Sequence, residues 1–299
     1  MMMNSAAMDE ADEICASCGV PAGDDIKSKN CNACKLAAVE CQKNHRPQHN
    51  AREGPLTAEL HDELLFKQPE SSHLGDCPIC FIPIPLDPKK IYAINSCCCK
   101  PICDGCYYAW TLMENTKKTC PFCRTSVPET QAEADRNYMK RIEAGDPVAM
   151  RQMGANRKYY DGDYSSAFEY LTMAAKLGDA ESHNQLSLMY LKGNGVEKDE
   201  GKEIYHMEKA AIAGHHLARY NLAMHEGENG RYERAVKHLI ISANLGHDKS
   251  IQKLKENYTD GHVSKEDFAA ALRAYQAAMV AMKSPQREAA EAARRQTLS

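Results

Sequence analysis

The second half of the chain repeats its apolar and small positions at a near-constant spacing. Small residues pair at Ala174-Ala175, Ala210-Ala211 and Ser242-Ala243, and a glycine follows each pair at Gly178, Gly214 and Gly246. Glu143-Ala144-Gly145 opens the series, so the glycines stand 33, 36 and 32 residues apart. Four residues after each glycine comes a small side chain (Ala149, Ser182, Ala218, Ser250), and eight after it a large apolar one (Met153, Leu186, Leu222, Leu254). Tyr190 and Tyr258 share a further offset, and Gly193 and Gly261 follow them. A period in this range means a stacked repeat. The pattern predicts helix–turn–helix units in which glycine ends a helix in the left-handed conformation. The small residues let helices approach, and the large ones fill the gap between them. Ser264 to Asp267 reads as a helix N-terminus of the capping-box kind. Phe268, Ala271, Leu272 and Tyr275 then share one helical face. About four units are expected over 145–283.

Ahead of the repeats the pattern is less regular. Residues 125–144 are expected as a linker helix that starts after Glu129, since Pro128 breaks structure before it. Residues 54–76 read as a linker with one short helix, and 1–14 as a disordered leader. The tail, 284–299, opens with Ser284-Pro285 and reads as a solvated helix or disorder. His215-His216, directly after a repeat glycine, reads as a surface turn. Tyr159, Tyr190, Tyr205 and Tyr275 fall within helical patterns and read as core.

Composition changes this picture in one respect. All fourteen cysteines lie at or before Cys123, nine of them between Cys77 and Arg124. The net charge of −4 lacks the basic footprint of a nucleic-acid binder. No apolar stretch approaches the roughly 20 residues that cross a bilayer. The opening MMMNSAAMDEADE is acidic and has no apolar centre, unlike a secretory signal. The expectation is a chain that is not secreted and sits in the cytoplasm or nucleus, where structural disulfides are rare.

The cysteine block then reads as a metal site. Cys77-x2-Cys80, Cys97-Cys98-Cys99, Cys103-x2-Cys106 and Cys120-x2-Cys123 supply at least eight thiols. A Cys-x2-Cys turn places two sulfurs on one side of a bend, and two such turns complete a tetrahedral zinc shell. A redox Cys-x-x-Cys needs neither three copies nor this context, which lacks a βαβ pattern. The cofactor expected is Zn²⁺.

Three resemblances extend these readings. Leu186-Ser-Leu-Met-Tyr190-Leu-Lys-Gly193-Asn-Gly195-Val196 resembles the signature of Sel1-like repeats, relatives of tetratricopeptide repeats. That implies a curved α-solenoid that binds proteins. The order of cysteine pairs in 77–124 resembles a RING finger, in which pairs one and three share one zinc while pairs two and four share the other. This implies a first site of Cys77, Cys80, Cys103 and Cys106. The second would hold Cys120, Cys123 and two of the clustered cysteines, with Cys97 and Cys98 favoured. Cys99 stands where a glycine is common in the family, and Lys100 where a histidine is usual. The resemblance further implies a groove for a ubiquitin-conjugating enzyme, with contacts from Ile79, Trp110, Pro121 and Arg124. Cys15, Cys18, Cys31, Cys34, Cys41 and His49, within 15–53, resemble a degenerate MYND finger. One cysteine expected before Cys41 is missing, and Glu53 stands in place of the last; His45 is a further candidate ligand.

The expected fold class is mainly α: small zinc-stabilised N-terminal modules followed by an α-solenoid. The expected function is a RING-type E3 ubiquitin ligase that docks a conjugating enzyme on the zinc module and a substrate or partner on the solenoid. No catalytic nucleophile is expected, and no nucleic-acid or membrane partner. The alternative is a non-catalytic scaffold built from the same modules.

Overall fold

The computed structural model describes residues 58–87, 93–113 and 119–297. The chain divides into two compact units, 1–64 and 65–299. Of the first, the described part is helical: α1 spans Ala58–Leu65, ending on the first residue of the second unit. The N-terminal ligand set, Cys15, Cys18, Cys31, Cys34, Cys41 and His49, lies outside the described residues.

The second unit opens with the cysteine-rich module. A two-stranded antiparallel sheet, β1 (Ala93–Ile94) and β2 (Pro101–Ile102), leads into α2 (Asp104–Thr111). Then come α3 (Gln131–Glu143) and four helix pairs. These are α4 (Pro147–Tyr159) with α5 (Tyr164–Lys176), α6 (Ala180–Lys192) with α7 (Glu200–Ile212), α8 (His216–Glu228) with α9 (Tyr232–Asn244), and α10 (Asp248–Thr259) with α11 (Lys265–Ala281). A last helix, α12, runs Pro285–Thr297. Among the described residues no helix is long and apolar enough to cross a membrane.

The repeat register follows from the sequence period. Gly145, Gly178, Gly214 and Gly246 all have positive φ, from 78° to 95°, and each separates one helix from the next. Asp146 and Asp179 directly after two of them cap α4 and α6, taking backbone N–H groups on their carboxylates. The small positions Ala149, Ser182, Ala218 and Ser250 are each fully buried, and Met153, Leu186, Leu222 and Leu254 are no more than 2 % exposed. Burying one such large side chain contributes about 1.5–3 kcal/mol. Ser264 accepts from the Asp267 N–H, as the capping box requires. Gly195 allows a close approach between backbones, since a Cβ there would lie 2.6 Å from the Tyr164 carbonyl oxygen.

Two stretches expected as linker and tail are packed. Residues 65–75, within the expected linker, form a strap along the repeats. Leu65 is buried among Met207, Ala210, Ala211, Ala218 and Leu222. The Arg219 guanidinium, itself fully buried, donates to the carbonyls of Leu65 and Lys67. The Phe66 ring packs on His238 and lies beneath Arg234 and Lys237. The His73 N–H donates to the Gly214 carbonyl at 3.1 Å. The expected tail is the second correction: α12 packs on α2 of the cysteine module, with Arg287 and Ala290 buried. Its charged residues read as solvent-facing in sequence, yet two of them, Arg287 and Arg294, find acceptors far away in the chain.

The linker helix is packed as well. Tyr138 of α3 is buried with Ala149 and Met153 of α4, and Cys99 of the cysteine module completes that cluster. Asn137 donates to the Ser96 hydroxyl at 3.3 Å. The cysteine module therefore docks on the first helices of the solenoid.

Candidate functional site

Each Cys-x2-Cys turn that flanks the module is closed in the same way. Cys77 N–H donates to the Ile82 carbonyl at 3.0 Å, and Phe81 N–H to the Cys77 carbonyl at 2.8 Å. Cys120 N–H donates to the Thr125 carbonyl at 2.8 Å, and Arg124 N–H to the Cys120 carbonyl at 2.9 Å. An isolated antiparallel bridge flanks each turn, Asp76 with Pro83 and Thr119 with Ser126. Cys98 and Cys99 both donate their N–H groups to the Asn95 carbonyl. Among the described non-glycine residues, positive φ occurs at Phe81, Cys99 and Arg124. Each directly follows the second cysteine of a turn. The left-handed residue carries the chain away from the pair.

This geometry sorts the cysteines. The sulfurs of Cys77, Cys80, Cys103 and Cys106 lie within 4.8 Å of one another, and so do those of Cys97, Cys98, Cys120 and Cys123. The first turn is thus brought to the third, and the second to the fourth. Cys99, in the left-handed position, packs instead in the Tyr138 cluster, and burial pushes its thiol up to about 12.

The donor sets fit zinc. Zn–S bonds of about 2.3 Å in a tetrahedron put the sulfurs about 3.8 Å apart. Cys80 and Cys103 are 3.8 Å apart, Cys98 and Cys120 3.7 Å, and Cys97 and Cys123 3.3 Å. These cysteines are free rather than disulfide-bonded. N–H groups also aim at the sulfurs: Cys103 N to Cys77 Sγ, Cys106 N to Cys103 Sγ and Asn95 Nδ2 to Cys120 Sγ, each at 3.5 Å. Such donors stabilise thiolates. The crowding has an acid–base consequence. A hydrogen bond from the Cys103 thiol lowers Cys77 to about 4 and raises Cys103 in turn. Burial raises Cys97 and lifts Cys98 to about 11. Four thiolates at this spacing repel one another, and a divalent cation is the partner that relieves the repulsion. Four sulfurs on each ion leave no position open for water or substrate.

The four docking side chains expected from the sequence are all on this module, while of the repeat tyrosines read as core Tyr190 is buried but Tyr159 and Tyr205 are exposed. Ile79 sits inside the first turn and is 38 % exposed. Trp110 lies on α2, half-buried, and its Nε1 donates to the Thr119 carbonyl at 3.0 Å, which ties α2 to the last turn. Pro121 is half-buried and Arg124 exposed. Sequence reasoning passed over four exposed apolar side chains, Phe81, Leu112, Met113 and Phe122. Phe81 and Phe122 were legible as residues beside or inside a cysteine pair. Leu112 and Met113 were legible only as the end of a short helix.

A third cluster was misread in sequence. His215 and His216 are buried, not on a surface turn, and His73 of the strap lies against them. Their ring nitrogens approach as metal ligands do. His215 is already committed, however. Its Nδ1 accepts from Ala218 N–H at 3.1 Å, so its Nε2 carries the proton and donates to Glu181 at 2.7 Å. This is a helix cap that a carboxylate holds in place, and it occupies the position of Asp146 and Asp179 in the earlier repeats.

Comparison with known proteins bears on the solenoid. The family model described as Sel1 repeat matches residues 147–179, 180–215 and 216–247. These are α4 to α9 with their connections, so this segment is a Sel1-repeat solenoid. The match does not extend to the helix pair α10 and α11 or to the cysteine module. Among solved structures, a Sel1 repeat protein from Oxalobacter formigenes is similar at 26 % identity over 52 % of this chain and 66 % of that one, with a TM-score of 0.45. A protective antigen present in uropathogenic Escherichia coli strains, displaying an SLR fold, is similar at 26 % identity over 51 % of this chain and 34 % of its own, with a TM-score of 0.43. The chain thus spans just under two thirds of the first and about a third of the second.

Proposed function

We propose that this protein is a RING-type ubiquitin ligase that acts by proximity, with a conjugating enzyme on the zinc module and a substrate or partner on the Sel1 solenoid. The observation that carries the reading is the interleaving of the two tetracysteine clusters, turn one with turn three and turn two with turn four. That is the order a RING cross-brace requires. Cys77, Cys80, Cys103 and Cys106 would hold one zinc, and Cys97, Cys98, Cys120 and Cys123 the other. Bound zinc supplies folding free energy, on the order of 10 kcal/mol or more for a structural site.

The chemistry this chain performs is then positioning. Ile79, Trp110, Pro121 and Arg124 are the docking side chains, and none of the four is buried. The Arg124 guanidinium can donate to two acceptors at once, which suits a residue that bridges a conjugating enzyme and ubiquitin. The solenoid raises the effective concentration of a bound protein near the loaded thioester. Cys15, Cys18, Cys31, Cys34, Cys41 and His49 enter this reading as a further, degenerate interaction finger. An autoubiquitination assay with a panel of conjugating enzymes tests the proposal. Wild type forms conjugates with at least one enzyme, and Ile79→Ala lowers the rate by about tenfold or more at unchanged zinc content, the loss of one hot-spot contact. A chain inert with every enzyme, carrying two zincs, would leave the second reading.

That second reading is a non-catalytic scaffold. Lys100 favours it: an exposed ammonium stands where the resembled family usually has a ligand histidine.

A further inference from the structure

We infer that Arg287, on the C-terminal helix, is a positioning residue of the first tetracysteine site, and that α12 is for this reason a working part of the zinc module. The inference rests on the zinc reading above, but not on ligase activity.

One guanidinium serves four acceptors. Arg287 Nη1 donates to the Pro83 carbonyl at 2.6 Å and to the Met282 carbonyl at 2.7 Å. Nη2 donates to the Ile82 carbonyl at 3.0 Å and points at Cys80 Sγ, 3.8 Å away. The Ile82 carbonyl also takes the N–H of Cys77. A single cation thus holds one ligand sulfur and the carbonyl that fixes the other ligand of the same turn. Arg287 is only 6 % exposed, so solvent screens these contacts little.

The helix is built to reach this place. A Cβ on Gly105 of α2 would lie 2.6 Å from the Arg287 backbone nitrogen, so the close approach needs glycine. Arg294, two turns further along α12, donates to the largely buried Asp104 carboxylate at 2.7 Å. These contacts join the helix of the cysteine module to the C-terminal helix, across 190 residues of sequence from Asp104 to Arg294.

The charge balance gives the contact its purpose. Four thiolates on Zn²⁺ leave the centre with a net charge of −2, and a buried cation beside it offsets part of that charge. The second site has a neutral donor in the same role, the Asn95 amide on Cys120 Sγ. The two sites should therefore depend on different residues. Because Ile79 lies between Cys77 and Cys80, Arg287 also fixes the turn that presents it.

Site-resolved zinc release is the test. The zinc-loaded full chain is mixed with excess chelator and pulsed with N-ethylmaleimide, and modified cysteines are read by peptide mass spectrometry. In Arg287→Met, Cys77, Cys80, Cys103 and Cys106 should become reactive about 10- to 100-fold faster, if the usual affinity loss on removing a donor behind a metal ligand is expressed as faster release. Cys97, Cys98, Cys120 and Cys123 should keep their wild-type rate. Asn95→Leu should reverse the pattern. Arg287→Lys keeps the charge but not the fork, and Arg294→Ala loosens the helix without touching the turn; both should show the same selectivity at smaller size, including where Arg287→Met does not fold. Wild-type rates at the first site in all three arginine variants, or equal acceleration at both sites, overturn the inference while leaving the zinc reading intact. A chain that carries no zinc overturns both.

Discussion

Cys97, Cys98 and Cys99 are identical side chains with different fates, and the backbone decides between them. The chain turns left-handed at Cys99, with φ of 53°, after Cys97 and Cys98 have faced the fourth turn. Cys99 then packs on Tyr138 and Met153. Two substitutions separate the roles. Cys98→Ser should lower the zinc content by one per chain by metal analysis, since serine lacks the thiolate. Cys99→Ala should keep both zincs and lower stability by about 1–2 kcal/mol in chemical denaturation, the range for a small loss of core packing. Sequence spacing left this choice open because three adjacent thiols offer several equivalent pairs. The family resemblance favoured Cys97 and Cys98 on the ground that Cys99 stands at a glycine position, and the positive φ is the physical content of that preference.

At the scale of elements, the repeat glycines were legible and their neighbours were not. Gly178 and Gly214 play one part in the sequence period, and their φ values, 85° and 83°, are nearly equal. A Cβ on Gly178 meets nothing within 4 Å, whereas on Gly214 it would lie 2.6 Å from the Ser71 carbonyl oxygen of the strap. Gly178→Ala should therefore cost about 1–2 kcal/mol, the left-handed penalty alone. Gly214→Ala should cost clearly more, and should increase proteolytic cutting within residues 65–75. Equal losses in the two variants would mean that the strap does not bear on Gly214. The strap itself has no periodic signal: its partners, Arg219, His238 and Asn244, lie more than 150 residues away in sequence. The tail helix failed for a related reason. Its arginines satisfy distant acceptors, and a helical pattern with many charges reads as solvated when those acceptors are unseen.

At the scale of the second unit, strap and solenoid meet over a set of buried histidines, and this makes stability depend on pH. Burial lowers His73 to about 3 and His216 to about 2, and the His215 ring lies beside both. Glu181, Arg151 and His247 are the other titratable groups that bear on these rings. In the unfolded chain both histidines titrate near 6.5. Below that value the unfolded state binds more protons, so stability is intact above about pH 6.5 and declines as pH falls towards the folded values. From about pH 7.5 to about pH 5.5 each histidine should remove about 1.4 kcal/mol. Glu181, held near 2 against its own burial by His215, adds to the loss only below its ordinary range. Denaturation curves at the two pH values check this. His73→Phe keeps a ring in place and should remove one histidine's share of the difference; an unchanged difference would mean that His73 does not stay neutral in the fold.

What rests on local rules could be read from the chain alone. Helix ends at Gly145, Gly178, Gly214 and Gly246, the buried positions four and eight residues beyond them, the capping box at Ser264 and the paired thiols of the cysteine module all follow from short spacings. Such features fix their own surroundings, because cap, turn and face involve residues within about two helical turns of each other. The three-dimensional arrangement was needed to establish which sulfurs meet, that Cys99 leaves the cluster, that His215 is a buried cap, and that residues 65–75 and α12 pack rather than float. Those outcomes depend on groups that are distant in the chain and become partners only when backbone carbonyls and charges are buried together and must each find an acceptor or donor.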